Sequence, residues 1–108
     1  MAAISFVTTC MGRLAALRQT LGSMLEQAGG SCVVVDYSCP DHAGDWALAN
    51  HPSARVVRLP GQEHFNLARA RNAGARIADT PWLCFVDADV KLEPGFGAAL
   101  PQTLAPGG

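Results

Sequence analysis

Two carboxylates one residue apart, Asp87 and Asp89, close a short apolar run that reads Trp82-Leu83-Cys84-Phe85-Val86. Held that close, they repel each other unless water solvates them or a cation bridges them. A hard divalent ion, Mn²⁺ or Mg²⁺, prefers oxygen ligands, keeps several waters and accepts substrate phosphates into its shell. One or two carboxylates beside a diphosphate therefore make a sufficient site. Ala88 between them is small and leaves room for a ligand. Taken alone, Asp-x-Asp is also a common polar turn at the end of a strand. What separates the readings is whether the segment lies on a ligand-binding edge.

Other residues carry chemistry of a related kind. Asp36 ends a second apolar run. Its carboxylate can accept a hydrogen bond from the N–H of a base or from a ribose hydroxyl, or it can close an Asx-type turn with Ser38. Arg69 and Arg71 stand two residues apart, so they cannot share one side of a helix. One is expected in solvent and the other toward the strand ends, where a guanidinium offers fixed charge and a fork of donors to a diphosphate. His64 reads as an exposed loop histidine. There is no Gly-x-Gly-x-x-Gly after the first strand and no Walker-type loop, so neither a dinucleotide site nor P-loop hydrolysis is supported. A bound diphosphate would have to be neutralised by a metal. The four cysteines form no Cys-x-x-Cys pair and read as reduced, mostly buried thiols. Cys39 and His42 have metal-ligand spacing but lack a second ligand pair.

These residues need elements to position them, and the hydropathy pattern supplies an alternation of strand and helix. Ile4 to Thr9, Cys32 to Tyr37, Ala54 to Leu59 and Trp82 to Val86 are short continuous apolar runs, as buried parallel strands require. Leu14, Leu17, Leu21, Met24 and Leu25 recur at helical spacing and predict an amphipathic helix ending at Gly29-Gly30. Gly44 to Asn50 predicts a short helix closed by His51-Pro52. Asn66 is the expected N-cap of a third helix over Leu67 to Ala78, with Leu67, Ala70, Gly74 and Ile77 as its packed face. Gly74 costs helix propensity but permits a close approach. Pro94-Gly95 predicts a further short helix through Leu100, and Ala105 to Gly108 a frayed tail.

Strands separated by helices mean a parallel sheet covered on both faces, with right-handed crossovers. Ligands of such sheets bind outside the carboxyl ends of the strands. Thr8-Thr9-Cys10, Asp36-Tyr37-Ser38 and Asp87-Ala88-Asp89 all fall on that edge, which favours the metal reading of the paired acids. Bulk properties agree. The chain has 108 residues, 49% hydrophobic and 16% charged, enough for one folded domain. Its net charge of -1 weighs against a sequence-independent nucleic-acid binder. The apolar start lacks a basic n-region, and no stretch reaches the roughly 20 apolar residues of a membrane span; a cytoplasmic chain is expected.

Taken in order, the elements resemble the amino-terminal half of the glycosyltransferase A fold, family 2. That family opens with a strand and a Pro-Thr-Tyr-Asn-Arg-like turn, which here reads Thr8-Thr9-Cys10-Met11-Gly12-Arg13. Its Val-Asp-Asp-Gly-Ser-like segment appears as Val35-Asp36-Tyr37-Ser38-Cys39-Pro40-Asp41, with Tyr37 replacing the second acid. Its Ala-Arg-Asn-x-Gly signature is intact at Ala70-Arg71-Asn72-Ala73-Gly74, and its Asp-x-Asp stands at Asp87-Ala88-Asp89.

The resemblance implies an α/β, parallel-sheet-rich, Rossmann-like nucleotide-binding half of a glycosyltransferase A fold, truncated after the Asp-x-Asp strand, as a single domain over residues 1–108. The implied ligand is a nucleotide-diphospho-sugar, a UDP-sugar in the commonest form, with Mn²⁺ or Mg²⁺ as cofactor. By the same resemblance Thr8 and Asp36 contact the nucleoside and Arg71 the base or diphosphate. Asp87 contacts the ribose and shares the metal with Asp89. Family members continue past the Asp-x-Asp into a half that binds the acceptor and supplies the catalytic carboxylate. Asp41, Asp45 and Glu63 are acids here, but none occupies that place. The chain is thus expected to supply the leaving-group half of an in-line displacement at the anomeric carbon. Two other readings remain at this level: a nucleotide-sugar-binding module without catalysis, and a generic doubly wound domain whose acids are turn residues. A receiver-like domain would want an acid on its first strand, which ends here in Thr8-Thr9.

Overall fold

A computed structural model describes residues 4–27 and 30–96. The elements are β1 (Ile4–Cys10), α1 (Leu14–Leu25), β2 (Gly30–Tyr37), α2 (Ala43–Asn50), β3 (Arg55–Leu59), α3 (Leu67–Ile77) and β4 (Trp82–Phe85). The strands form one four-stranded sheet in the order β3-β2-β1-β4, and every pairing is parallel. β1 is therefore interior, with Val7 paired to Val33 on one side and Phe85 on the other.

The period of two along each strand sorts the core into two layers. Ile4, Phe6, Cys10, Cys32 and Val34 face Leu17, Leu21 and Met24 of α1 and Ala43 and Ala47 of α2. Val7, Val33, Val35 and Tyr37 face Ala70 of α3 on the other side. A Cβ added at Gly74 would meet Val7 and Val35 well inside contact distance, so the helix seats directly on the side chains of β1 and β2. At the sheet edge, Leu83 and Phe85 share the α3 side of β4 with 40% and 41% exposure.

Boundaries shift by a few residues from expectation. α1 stops at Leu25, and Gly30 already pairs with Ile4. Asn66 caps α3 as expected, its Oδ1 accepting the Arg69 N–H at 3.0 Å. The packed face of α3 is Ala70, Ala73 and Gly74, with Ile77 partly buried against the same layer as expected, but it does not start at Leu67, which is 40% exposed. The first turn of α3 overhangs the carboxyl edge of the sheet, so its side chain finds no layer beneath it. Most of the helix expected from Pro94 to Leu100, and the tail, lie outside the described residues.

Candidate functional site

Asp87 and Asp89 follow β4 directly, and their turn is held by α1. Two polar residues on the buried face of that helix, and Gln27 just past its end, reach across. Thr20 Oγ1 donates to the Ala88 carbonyl at 2.5 Å, the Leu92 N–H donates to Ser23 Oγ at 3.0 Å, and Gln27 Nε2 donates to the Glu93 carbonyl at 2.9 Å. Ala88 and Leu92 pack into the core between these anchors. The apolar residues of the segment are thus pinned inward, and the two carboxylates are left exposed on the outer side. Sequence periodicity had marked only the apolar stripe of α1; the polar spacing Thr20, Ser23, Gln27 was the signal for this clamp.

Both carboxylates line a groove of about 370 Å³, together with Thr9, Met11, Arg13, Phe65, Leu67 and Ala88. The groove lies over the carboxyl ends of β1 and β4, with the start of α3 as its far wall. Among the described residues no cation stands within ion-pair distance of Asp87 or Asp89. Nor is there a cluster of three or more His, Cys, Asp or Glu among them. Two unpaired carboxylates fit a divalent ion that completes its shell with water and a phosphate-bearing ligand, and do not form a closed protein cage. Arg13 and the Thr9 hydroxyl are the groove's other polar groups, of a type that holds phosphate oxygens.

The other residues singled out from the sequence stand apart from this groove. Thr8 points into the α1 layer, fully buried, and its Oγ1 has no hydrogen-bond partner among the described residues. Strand alternation gives the groove to its neighbour, Thr9. Asp36 is buried beneath the β2–α2 turn. Its Oδ1 accepts the Cys39 N–H and its Oδ2 the Gly44 N–H, both at 2.9 Å, with Arg58 Nη1 at 3.7 Å. It closes the turn onto Cys39, not Ser38, and caps α2, whose own N-cap His42 offers no side-chain bond. Arg71 lies with its guanidinium carbon 5.0 Å from the Phe85 ring centroid, a cation–π contact at the sheet edge. Arg69 faces the other way and donates to Gln62 Oε1 at 2.8 Å.

Phe65 joins the first groove to a second one of about 410 Å³, lined by Tyr37, Gln62, His64 and Arg69 among others. Tyr37 meets the Phe65 ring edge-on at 5.1 Å and its hydroxyl donates to Gln62 Oε1 at 3.3 Å. Sequence reasoning missed Arg13, Phe65 and Leu67 as groove residues. Arg13 was visible in the turn after β1; Phe65 and Leu67 carried no signal beyond their place at the start of a helix.

Among the described residues no helix is long and apolar enough to cross a membrane. No curated protein sequence matches the chain significantly. Solved structures with the same fold include TarS of S. aureus (TM-score 0.76, 18% identity, 94% of this chain and 31% of that one). Another is the mannosyltransferase PcManGT of Pyrobaculum calidifontis, in complex with GDP-Man and Mn²⁺ (TM-score 0.76, 20% identity, 95% of this chain and 32% of that one). A further TarS structure holds UDP-GlcNAc, at 17% identity over 93% of this chain. The chain thus spans about a third of the length of these structures and matches them across its parallel sheet and helices. The family model for glycosyl transferase family 2 matches residues 5–100, and with the Asp-x-Asp turn, the intact Ala-Arg-Asn-x-Gly segment and the sheet that carries them, the chain belongs to glycosyl transferase family 2.

Proposed function

We propose that the groove over β1 and β4 binds the diphosphate and ribose of a nucleotide-diphospho-sugar, in the first instance a UDP-sugar, together with Mn²⁺ or Mg²⁺. The chain is then the donor-binding part of a glycosyltransferase acting on an acceptor hydroxyl. The observation that carries this reading is the pair of exposed carboxylates, unpaired among the described residues, that share one groove with Arg13 and Thr9. The ligands bound in similar structures, UDP-GlcNAc in one and GDP-Man with Mn²⁺ in another, are of the same chemical kind.

In this reading Asp89 and Asp87 hold the cation, and Asp87 also reaches a ribose hydroxyl. A bound cation supplies positive charge that stabilises the departing diphosphate. Thr9 takes the contact expected of Thr8, and Arg13 adds a guanidinium to the phosphate oxygens. Arg71, stacked on Phe85 just before Asp87, contributes fixed positive charge at the rim. Asp36 acts by fixing the turn behind the site. The acids that line the groove are Asp87 and Asp89. The expected spares do not join them, since Asp45 pairs with Arg58 at 2.8 Å and Glu63 lines the second groove.

Calorimetric titration with UDP and with GDP, each with and without Mn²⁺, tests this. Metal-dependent binding in the native chain that Asp89→Ala abolishes supports it. A folded chain that binds neither nucleotide under either condition sinks it.

A further inference from the structure

β1 ends at Cys10, directly opposite Asp36 in the parallel register, and the β2–α2 turn carries Cys39 back over that end. The two sulfurs approach to 3.9 Å. Each stands on backbone that other contacts fix: Cys10 by strand pairing, Cys39 by its N–H on Asp36 Oδ1 at 2.9 Å. The Gly12 N–H donates to Cys39 Sγ at 3.4 Å. Both thiols are free and buried, Cys10 completely and Cys39 with 6% exposure. The other two cysteines are not so placed: Cys32 and Cys84 pair with Phe6 from opposite sides and have β1 between them.

We propose that Cys10 and Cys39 form an oxidisable dithiol, a covalent modification site at the carboxyl end of β1, which peroxide-class two-electron oxidants close to a disulfide. Cys39 keeps the residual exposure and meets the oxidant first. Its sulfur attacks one peroxide oxygen, the O–O bond breaks, and a sulfenic acid and one water result. The Cys10 sulfur then attacks the Cys39 sulfur. The S–S bond forms, the S–O bond breaks, and the oxygen leaves as a second water with the Cys10 proton. Two thiols lose two protons and two electrons, and one peroxide is reduced to two waters. Burial pushes the Cys10 thiol up to about 12, against a lowering backbone hydrogen bond at Arg13, so its attacking thiolate is scarce at neutral pH and closure is faster at alkaline pH.

Closure has a local consequence. It ties the end of β1 to the β2–α2 turn at the point where Gly12, with φ of 73°, lets the chain leave for α1. Met11 and Arg13 on either side of that glycine line the groove, so the modification restrains its rim. The proposal does not depend on the nucleotide-sugar reading.

The test uses the whole chain, reduced, freed of reductant and exposed to hydrogen peroxide while folded. It is then quenched, denatured, alkylated with iodoacetamide and sequenced by mass spectrometry. The expected product has lost two hydrogens, carries two alkylated cysteines in place of the four present, and yields fragments joined through Cys10 and Cys39. Its thermal midpoint rises by about 10–15 °C. Cys10→Ser and Cys39→Ser each prevent closure, whereas a Cys32→Ser/Cys84→Ser double variant still closes. Four alkylated cysteines after oxidation of a chain that remains folded would overturn the proposal. So would a crosslink through Cys32 or Cys84, or sulfinic acid on Cys39 without the bridge.

Discussion

The Asp36 carboxylate accepts the Gly44 N–H at 2.9 Å, which makes a residue at the end of β2 the N-terminal cap of α2. A Cβ at Gly44 would fall 2.8 Å from the same oxygen, so helix and strand meet as closely as their atoms allow. Asp36→Ala leaves two buried N–H groups without their acceptor and removes one of the two carboxylates beside Arg58, which keeps Asp45. It should lower stability by about 2–4 kcal/mol, read as a fall in the urea midpoint at unchanged slope. Asp36→Asn, which still offers one acceptor, should cost less.

Thr8→Val tests the alternation that sends Thr8 and Thr9 to opposite layers. The Thr8 hydroxyl is buried without a partner among the described residues, and valine has the same shape without the polar atom. The variant should be neutral or more stable by up to ~1 kcal/mol. Thr9→Val should leave stability alone and weaken nucleotide binding. Urea unfolding and the UDP titration together check the pair.

Gly74→Ala sets two effects against each other. Alanine gains about 1 kcal/mol of helix propensity over glycine, but its methyl group meets Val7 and Val35, and overpacking costs typically 1–3 kcal/mol. Net destabilisation is expected. Val7→Ala in the same chain should recover part of it, and that non-additivity in a double-mutant cycle is the measurement.

Thr20→Val removes the hydroxyl that holds the Ala88 carbonyl. Thr20 does not line the groove, so any loss of metal affinity runs through the position of the turn. Mn²⁺ should raise the thermal midpoint of the native chain, raise it less in Thr20→Val, and leave Asp89→Ala unchanged. Equal shifts in the native and Thr20→Val chains would show that the turn holds without the clamp.

Cys10 and Cys32 both have thiols pushed up from 9.0 to about 12 by burial. A raised thiol keeps its proton in the folded chain at a pH where the unfolded chain has lost it. Its contribution is therefore complete below about pH 9 and is lost as pH rises toward 12. Each thiol adds a downward slope on the order of 1 kcal/mol per pH unit in that window. Denaturant midpoints measured there should fall more gently for Cys32→Ala than for the native chain.

Much of this could be read from the residues. Continuous valine runs such as Val33-Val34-Val35 can only be strands buried on both faces, and Asn66 announced the start of α3. The paired acids after Phe85-Val86 fell on the ligand edge because strand ends in a parallel sheet always do. The rest depended on contacts distant in sequence. Nothing local tells which of two adjacent threonines turns toward the groove, because one residue of register decides it. Asp36 looked equally suited to a ligand or a turn until Gly44 and Cys39 were seen to occupy both its oxygens. Leu67 fitted the helical stripe and failed as a core residue because the sheet ends before reaching it.

The pairing order also sets a timetable. Ile4, in the strand that emerges before the other three, pairs with Gly30 on one side and Trp82 on the other. At synthesis rates of roughly 5–20 residues per second, the β4 side of β1 waits several seconds for its partner. Until then a run of Ile, Phe and Val lies with one flank open. Such non-local pairing slows folding, and the nascent chain has a stretch of strand that a chaperone could shield before β4 arrives.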